Sequence, residues 1–487
     1  MCGIFVVIPK LNKKLNIQKC QNALKELDKR GPDWSLYQVI DNIFFGQTVL
    51  SMTGKSKKNL KNHYSQKKNF FILFNGEIYN HNDLNDYNYS DKLNIPDTKI
   101  LVDLFDRKNP NTINDSLDGM YSYVVYDKLK KKIFISRDPQ GEKSLYKFEN
   151  SEYKIFSSEI NPILKFTNKL TIDNEVLESY FLSRHFIQFE KTIFKEIINI
   201  QPGEFWEYSI LKKKLINKKT FSVKSFVSEK AYNLNLNKTE EDLAEELEGL
   251  LKKNLKEMIP LDRKFCSIFS GGVDSSLISI LLKKLSGCNK FIALNHIGKD
   301  KISNNIQLFE KKLKNSILKL DINKETYKKY LNEAIDICNS PISSHDFVGK
   351  LIIAKKLKSI NCKAVFGGDG ADELFGGYST YLQNIIREEM LKALKEEELP
   401  LSPFTEAEEK FLAKFVELGT QSLGILYTAN DVGIREFLMR SGNDFNLTPD
   451  ILGKLMKDGI VSIVPYGGYA RNEDYTIKCN LPLDELE

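Results

Sequence analysis

The sequence predicts a two-domain protein of mixed α/β and α+β class: an N-terminal antiparallel β-sandwich flanked by helices, followed by a doubly wound parallel α/β domain. Three observations predict it. The chain has 487 residues, more than one hydrophobic core usually organises. Its first ~210 residues carry short β-branched and aromatic runs bounded by Gly, Asn, Asp or Lys. Beyond residue 240, apolar strands alternate with longer helices, as βα units around a parallel sheet do.

In the first part, Ile4 to Ile8, Ile43 to Phe45, Phe70 to Phe74, Tyr121 to Tyr126, Ile133 to Ser136 and Tyr153 to Phe156 read as strands. The helical spacing of Ile17, Cys20, Leu24 and Leu27 predicts a covering helix over Ile17 to Lys29, and Ile100, Leu101, Leu104 and Phe105 predict another over Lys99 to Asp106. A third runs around Glu175 to Leu182, before a turn at Gln201-Pro202-Gly203. The Lys-, Asn- and Ser-rich stretch 209–239 has little periodicity and reads as a linker between a domain of residues 1–208 and one of residues 240–487. The second domain opens with a helix over Glu240 to Leu255, a strand over Phe265 to Phe269, a helix over Ser275 to Leu285 and a strand over Phe291 to Asn295. A helix around Val348 to Lys358 leads into the strand Ala364-Val365-Phe366, and helices are expected after Tyr378, over Arg387 to Glu398 and Glu406 to Leu418.

Composition excludes several function classes. The formal net charge of +6 is spread over lysine clusters such as Lys212-Lys213-Lys214 without interleaved aromatics, so these read as solvated turns and not as a nucleic-acid site. No apolar run approaches membrane-spanning length and no signal peptide opens the chain, so a soluble cytoplasmic protein with no membrane partner is expected. Seven cysteines (Cys2, Cys20, Cys266, Cys288, Cys338, Cys362, Cys479) without a CxxC pair argue against a disulfide framework or a zinc knuckle. The histidines His63, His81, His185, His296 and His345 show no metal-ligand spacing, and Trp34 and Trp206 read as core or turn-packing residues. A homodimer is left open.

Cys2 is the first candidate for chemistry. Removal of Met1 would put a thiol and a free α-amino group on one residue, a nucleophile with its own base. Arg30-Gly31-Pro32-Asp33 and Asn75-Gly76-Glu77-Ile78-Tyr79-Asn80 are each expected where a helix or strand ends. An Asn side-chain amide and a Gly N–H at one turn are the donors that an oxyanion beside a thiolate needs. With Met1-Cys2-Gly3-Ile4, in this order and spacing, and with Arg137-Asp138, Gly141, Lys143, Leu145-Tyr146 and Ser157-Ser158-Glu159, the first domain resembles the class II, N-terminal-nucleophile (Ntn) glutamine amidotransferases. The resemblance implies an Ntn-hydrolase-like fold in which Cys2 attacks the glutamine amide, Asn75 and Gly76 stabilise the oxyanion, and Glu77 and Asp97 bind the glutamine amino group.

The second anchor is Ser270-Gly271-Gly272-Val273-Asp274-Ser275-Ser276, at a strand-to-helix junction. Glycines there let backbone N–H groups approach an anion, the helix N-terminus adds positive potential, and the serines donate to phosphate oxygens. Asp274 would repel phosphate unless a cation lay between them, which argues for Mg²⁺. The loop lacks the Gly-Lys-Ser/Thr ending of a Walker A sequence and resembles the pyrophosphate loop of ATP pyrophosphatases. A third anchor, Gly367-Gly368-Asp369-Gly370-Ala371-Asp372-Glu373, follows another strand. Together the anchors resemble the asparagine synthetases (glutamine-hydrolysing). The resemblance implies ATP and pyrophosphate binding by Ser270, Gly271, Gly272, Asp274, Ser275, Ser276, Gly367 and Gly368, Mg²⁺ at Asp274 and Asp372, and acid-base work at Asp369. It further implies glutamine, ATP and a carboxylate, aspartate first, as substrates, with ammonia passing between two sites and AMP and pyrophosphate released.

Three departures stand out. Where the family pattern has an Arg for the glutamine α-carboxylate, just before Leu-Ser, this chain has Val49 in Val49-Leu50-Ser51-Met52. A lost charge-assisted bidentate contact costs roughly 1.5–3 kcal/mol of binding. Either a nearby cation such as Lys55 substitutes, or free ammonia is the donor. Asp369 stands where a Glu is expected, one methylene shorter. The region after Tyr378 lacks the family's Glu-x-Arg-x-Pro-Phe-Leu-Asp run, and Lys454 and Lys457 are both candidates for its adenylate-facing lysine. Two alternatives are therefore kept: a relative that amidates a different carboxylate, in a small molecule, glycan or peptide, and a non-catalytic nucleotide-binding relative.

Overall fold

The computed structural model describes residues 2–377 except 11–12, 53–58, 85–94, 168, 184–189, 222–227, 261–262, 297–299, 339–340 and 342–345. Lys55, His185, His345, Lys454, Lys457, Cys479 and the helices expected after Tyr378 lie outside the described residues. Residues Met1–Gly367 form one compact unit, and the described residues 368–377 belong to a second.

The first part of the chain folds into β1 (Gly3–Pro9), β2 (Trp34–Ile40), β3 (Ile43–Val49), β4 (Phe70–Ile78), β5 (Gly119–Asp127), β6 (Lys132–Arg137), β7 (Tyr146–Glu149), β8 (Tyr153–Ser157), β9 (Ile197–Asn199), β10 (Glu204–Ser209) and β11 (Lys214–Thr220). Two antiparallel sheets result, ordered β2-β3-β1-β8-β7-β9 and β11-β10-β6-β5-β4. Alternation along the strands explains the layering. Ile4, Val6 and Phe45 from one sheet meet Phe71, Leu73, Val124, Ile133 and Ile135 from the other in a central apolar layer. The opposite residues Phe5, Val7 and Phe44 pack outward under the helices Ile17–Leu24 and Asn161–Phe166. On the other sheet, Ile72, Phe74, Tyr123 and Val125 pack under the helix Asp97–Leu104.

Some elements differ from the sequence reading. The first helix stops at Leu24 and continues as a single 3₁₀ turn, Lys25–Leu27. Strand β2 alternates exposed and covered residues beside β3 and is short of continuous apolar character. Its hairpin to β3 turns on Asp41 and Asn42, whose φ values of 51° and 60° are those of a two-residue primed turn. Strand β11, almost wholly exposed, adds an edge to the second sheet over Lys214–Thr220.

The later part contains β12 (Phe265–Ile268), β13 (Phe291–His296), β14 (Ile317–Ile322) and β15 (Ala364–Phe366), all parallel in the order β14-β13-β12-β15. Helices cover both faces. Phe291 and Ala293 pack with Ile306 and Phe309 of the helix Asp300–Leu313, while Ile292 and Cys266 pack with Ile353 and Leu357 of the helix Asp346–Ser359. The doubly wound expectation therefore holds, with the helix Val273–Ser286 leaving directly from the end of β12.

Candidate active site

Cys2 precedes β1, which is inserted between β3 and β8. Its position is set from several sides. The Ile4 N–H donates to Ser158 Oγ at 3.0 Å and the Ser158 N–H donates to the Ile4 carbonyl oxygen at 2.9 Å. Arg30 donates from Nε to the Cys2 carbonyl oxygen at 2.7 Å and from Nη1 to Glu159 Oε1 at 2.9 Å. The Arg30-Gly31-Pro32-Asp33 segment runs so close over β3 that a Cβ on Gly31 would lie 2.3 Å from the Thr48 carbonyl carbon and the Val49 nitrogen. Only glycine allows that approach.

Burial pushes the Cys2 thiol up, while the positive amino terminus and, more weakly, Arg30 pull it down. Its Sγ donates to the Leu50 carbonyl oxygen at 3.7 Å. Cys2 shares a cleft of about 60 Å³ with Trp34, Val49, Leu50, Gly76 and Asp97. That volume holds a few waters, a space scaled to a small polar group.

The Asn75-Gly76 pair corrects one expectation. It does not sit at a turn: β4 runs on to Ile78, with Asn75 opposite Ser122 and Gly76 opposite Tyr121. The physical reason is that β5 is long enough to pair with β4 through this segment, so the ladder continues where Asn-Gly alone suggests a stop. At Gly76, φ is 156° and a Cβ would come within 2.0 Å of the Met120 carbonyl oxygen. Asn75 is fully buried; its Nδ2 lies 3.4 Å from Ser122 Oγ and its Oδ1 has no hydrogen-bond partner among the described residues. The unsatisfied end of this buried amide is its acceptor oxygen, while its donor Nδ2, the end an oxyanion would use, faces Ser122 through a long contact.

Asp97 opens the helix Asp97–Leu104 after Pro96, where a carboxylate is favoured by the helix N-terminus. Its Oδ2 accepts from the Ile78 N–H at 3.2 Å and its Oδ1 from the Thr98 N–H at 2.7 Å, which ties the helix to the end of β4. Glu77 is pushed up to about 7, first by burial and then by the Asp97 charge, against Lys143 and the amino terminus. Two carboxylates that repel each other in a partly desolvated place favour a cationic ligand between them. Lys143 is itself buried, and burial lowers its affinity for a proton.

The other motif residues of the first domain are supports. Asp138 accepts from the N–H groups of Glu142 and Lys143, and Arg137 Nη1 donates to the Ile200 carbonyl oxygen at 2.6 Å, shaping the loop that delivers Lys143. Sequence reasoning missed Gln47, whose amide bonds both backbone groups of Phe74, at 2.6 and 3.2 Å, and so fixes β4 just before Asn75. A buried glutamine inside an apolar strand was the available signal. It also missed that the Trp34 Nε1 is buried without a partner among the described residues, opposite Val49 in the β2–β3 register. His63 is buried and pushed down to about 4 by burial, hence neutral, and its Nδ1 meets the Ile72 carbonyl oxygen at 3.0 Å.

The Ser270–Ser276 loop lies at the carboxyl end of β12. Gly271 has φ 86°, and Gly272 caps the helix Val273–Ser286. The hydroxyls of Ser270 and Ser275 are 2.8 Å apart, the Gly272 N–H donates to Ser270 Oγ at 3.3 Å, and Ser276 Oγ donates to the Gly272 carbonyl oxygen at 2.6 Å. The backbone is thereby held in an open curl over the helix N-terminus, with Asp274 in the first helical turn. Gly367 follows β15 and ends the first compact unit. In the second, Gly370, at φ 97°, caps a short helix Ala371–Phe375 that carries Asp372 and Glu373, with Asp369 just before it. Among the described residues no group of three or more His, Cys, Asp or Glu is placed to hold a metal ion. Asp274 beside the serine hydroxyls of this loop still suits Mg²⁺, which takes one or two carboxylates and completes its shell with phosphates and water.

Two known domain families match the chain. Residues 1–222 match the family described as "Glutamine amidotransferase domain", and residues 246–447 match "Asparagine synthase". The chain thus joins a match to a glutamine amidotransferase domain with a match to an asparagine synthase domain. Among the proteins it is similar to, a "Probable asparagine synthetase [glutamine-hydrolyzing]" of Acanthamoeba polyphaga mimivirus is 26% identical over 401 residues, covering 78% of this chain and 68% of the relative. "Asparagine synthetase [glutamine-hydrolyzing] 1" of Bacillus subtilis is 25% identical over 409 residues, with 78% and 59% covered. "Asparagine synthetase B [glutamine-hydrolyzing]" of Escherichia coli is 24% identical over 412 residues, with 78% and 65% covered. The match thus spans about three-fifths to two-thirds of the length of these relatives.

Proposed function

We propose that the protein is a glutamine-dependent amide-forming ligase. The observation that carries this reading is that Cys2, Gly76 and Asp97, far apart in sequence, line one cleft. With Met1 removed, the α-amino group of Cys2 takes the thiol proton, and the thiolate attacks the side-chain amide of glutamine. The developing oxyanion is stabilised by the Gly76 N–H and the Asn75 amide, and the substrate ammonium lies against Glu77 and Asp97. Ammonia leaves, a thioester to Cys2 remains, and water releases glutamate.

In the second half of the chain, the Ser270–Ser276 loop, with Gly367, holds ATP while a substrate carboxylate attacks its α-phosphate and displaces pyrophosphate. Ammonia then attacks the acyl-adenylate and displaces AMP. Asp274 is the residue of this loop that we assign to Mg²⁺, which would supply charge neutralisation at the leaving pyrophosphate when bound. Aspartate is the acceptor that the relatives' names point to. We place the domain junction within 209–239, after the edge strand β11, and the protein in the cytoplasm; no helix among the described residues is long and apolar enough to cross a membrane.

Mass-spectrometric product identification with ATP, Mg²⁺, glutamine and a panel of carboxylic acids tests this reading. Asparagine, glutamate, AMP and pyrophosphate in equal amounts are expected with aspartate. Pyrophosphate release with another acid and never with aspartate would transfer the assignment to that acid. A second reading, free ammonia as the physiological donor, is favoured by Val49 in the cleft wall. It predicts a far lower KM for ammonium than for glutamine.

A further inference from the structure

Two cations of the ATP-binding half reach the wall of the Cys2 cleft. Strands β12 and β15 pair in parallel with Phe265 opposite Ala364, so Lys363 enters beside Lys264, one residue on from Arg263, at their amino ends. Arg263 donates from Nε to the Ser51 carbonyl oxygen at 3.1 Å. Lys363 pairs through Nζ with Asp33 Oδ2, at a place where both side chains are about one-fifth exposed, and lies 3.5 Å from the same Ser51 oxygen.

Asp33 Oδ2 also accepts the Ser51 N–H, at 2.9 Å. That N–H belongs to the Leu50–Ser51 peptide, and the carbonyl oxygen of the same peptide is the one that accepts from Cys2 Sγ. A peptide group is planar and rigid, so a pull on its N–H reorients its C=O. Lys363, Asp33, this single peptide and the Cys2 thiol therefore form one continuous series of contacts. At the other ends of the same two strands lie the Ser270–Ser276 loop and Gly367.

We propose that Lys363 is a positioning residue for the Cys2 thiol, acting through Asp33 and the Leu50–Ser51 peptide, so that the strands carrying the nucleotide loop also set the geometry of the nucleophile. The inference rests on the reading of Cys2 as the nucleophile. With the Lys363–Asp33 pair intact, the Leu50 carbonyl oxygen holds the thiol proton. When the pair opens, the peptide is free to turn and the thiol loses its acceptor.

The test uses the full-length protein and iodoacetamide, with alkylation of Cys2 followed by mass spectrometry of the N-terminal peptide across pH, beside glutamate release from glutamine. Lys363→Gln is expected to change the alkylation rate of Cys2 about fivefold from the parent at pH 7, with its pH profile displaced, and to raise the KM for glutamine by a similar factor. Lys363→Arg, which keeps the charge, is expected to restore both. Asp33→Asn, which breaks the series from the other side without touching the ATP-binding half, is expected to reproduce the Lys363→Gln profile. Indistinguishable alkylation profiles in the parent, Lys363→Gln and Lys363→Arg overturn the proposal, as does a change in Lys363→Gln that Asp33→Asn fails to share. If the parent releases no glutamate from glutamine, the glutaminase reading fails, while the alkylation profiles still decide whether the relay exists.

Discussion

Arg30 holds Cys2 by its backbone, Nε donating to the Cys2 carbonyl oxygen at 2.7 Å. The contact is charge-assisted, and the other arm of the guanidinium is fixed on Glu159. Arg30→Met leaves both acceptors without this donor and frees the backbone of Cys2, the nucleophile of the proposed reaction. A loss of about 1.5–3 kcal/mol of positioning is expected, a ten- to hundredfold drop in glutamate release. AMP formation driven by ammonium is expected to persist, measured by chromatography of the nucleotides.

Cys2→Ala separates the two halves of the reaction. Glutamine-dependent amide formation is expected to vanish and ammonium-dependent formation to remain near the parent rate. Equal loss of both would contradict a scheme of two sites joined by ammonia.

Glu77 sits at about 7, against an ordinary 4.5, because burial and Asp97 disfavour its charge. An anchor for an ammonium group works when ionised, so the KM for glutamine is expected to rise as pH falls below about 7, and this dependence to disappear in Glu77→Gln. Stability follows the opposite course. Between the two values the folded state binds more protons than the unfolded state, so the contribution of Glu77 is fully present below about 4.5 and lost as pH rises through about 7. Urea denaturation above pH 7 is expected to find Glu77→Gln more stable than the parent, by on the order of 1–3 kcal/mol.

Val49 lines the cleft where the family pattern carries an arginine, and it is 7% exposed in the last position of β3. Val49→Arg is expected to lower the KM for glutamine by about tenfold or more, by supplying the α-carboxylate with a bidentate partner. The longer side chain is expected to cost about 1–3 kcal/mol of stability, visible as a lower melting temperature. An unchanged KM would show that the α-carboxylate lies elsewhere in the cleft.

Much of this protein is local in its encoding. The continuous apolar runs of β1, β4 and β5 specify buried strands by themselves, and the alternation after residue 240 specifies βα units, because side-chain periodicity and burial are properties of a few adjacent residues. The motifs likewise named Cys2, Asn75, Gly76 and Asp274, since a nucleophile, an amide and a glycine-rich curl are recognisable from residue type and spacing. Tertiary structure decided what depends on partners distant in sequence. Strand β2 becomes a strand only beside β3, and Asn75-Gly76 stays extended only because β5 pairs with it to the end. The raised value of Glu77 comes from its burial in the finished fold, to which the approach of Asp97 adds. Above all, the hold on Cys2 by Arg30, Leu50, Asp33 and Lys363 is made by long-range hydrogen bonds that no local pattern encodes, because their donors and acceptors come together only when the sheets have formed.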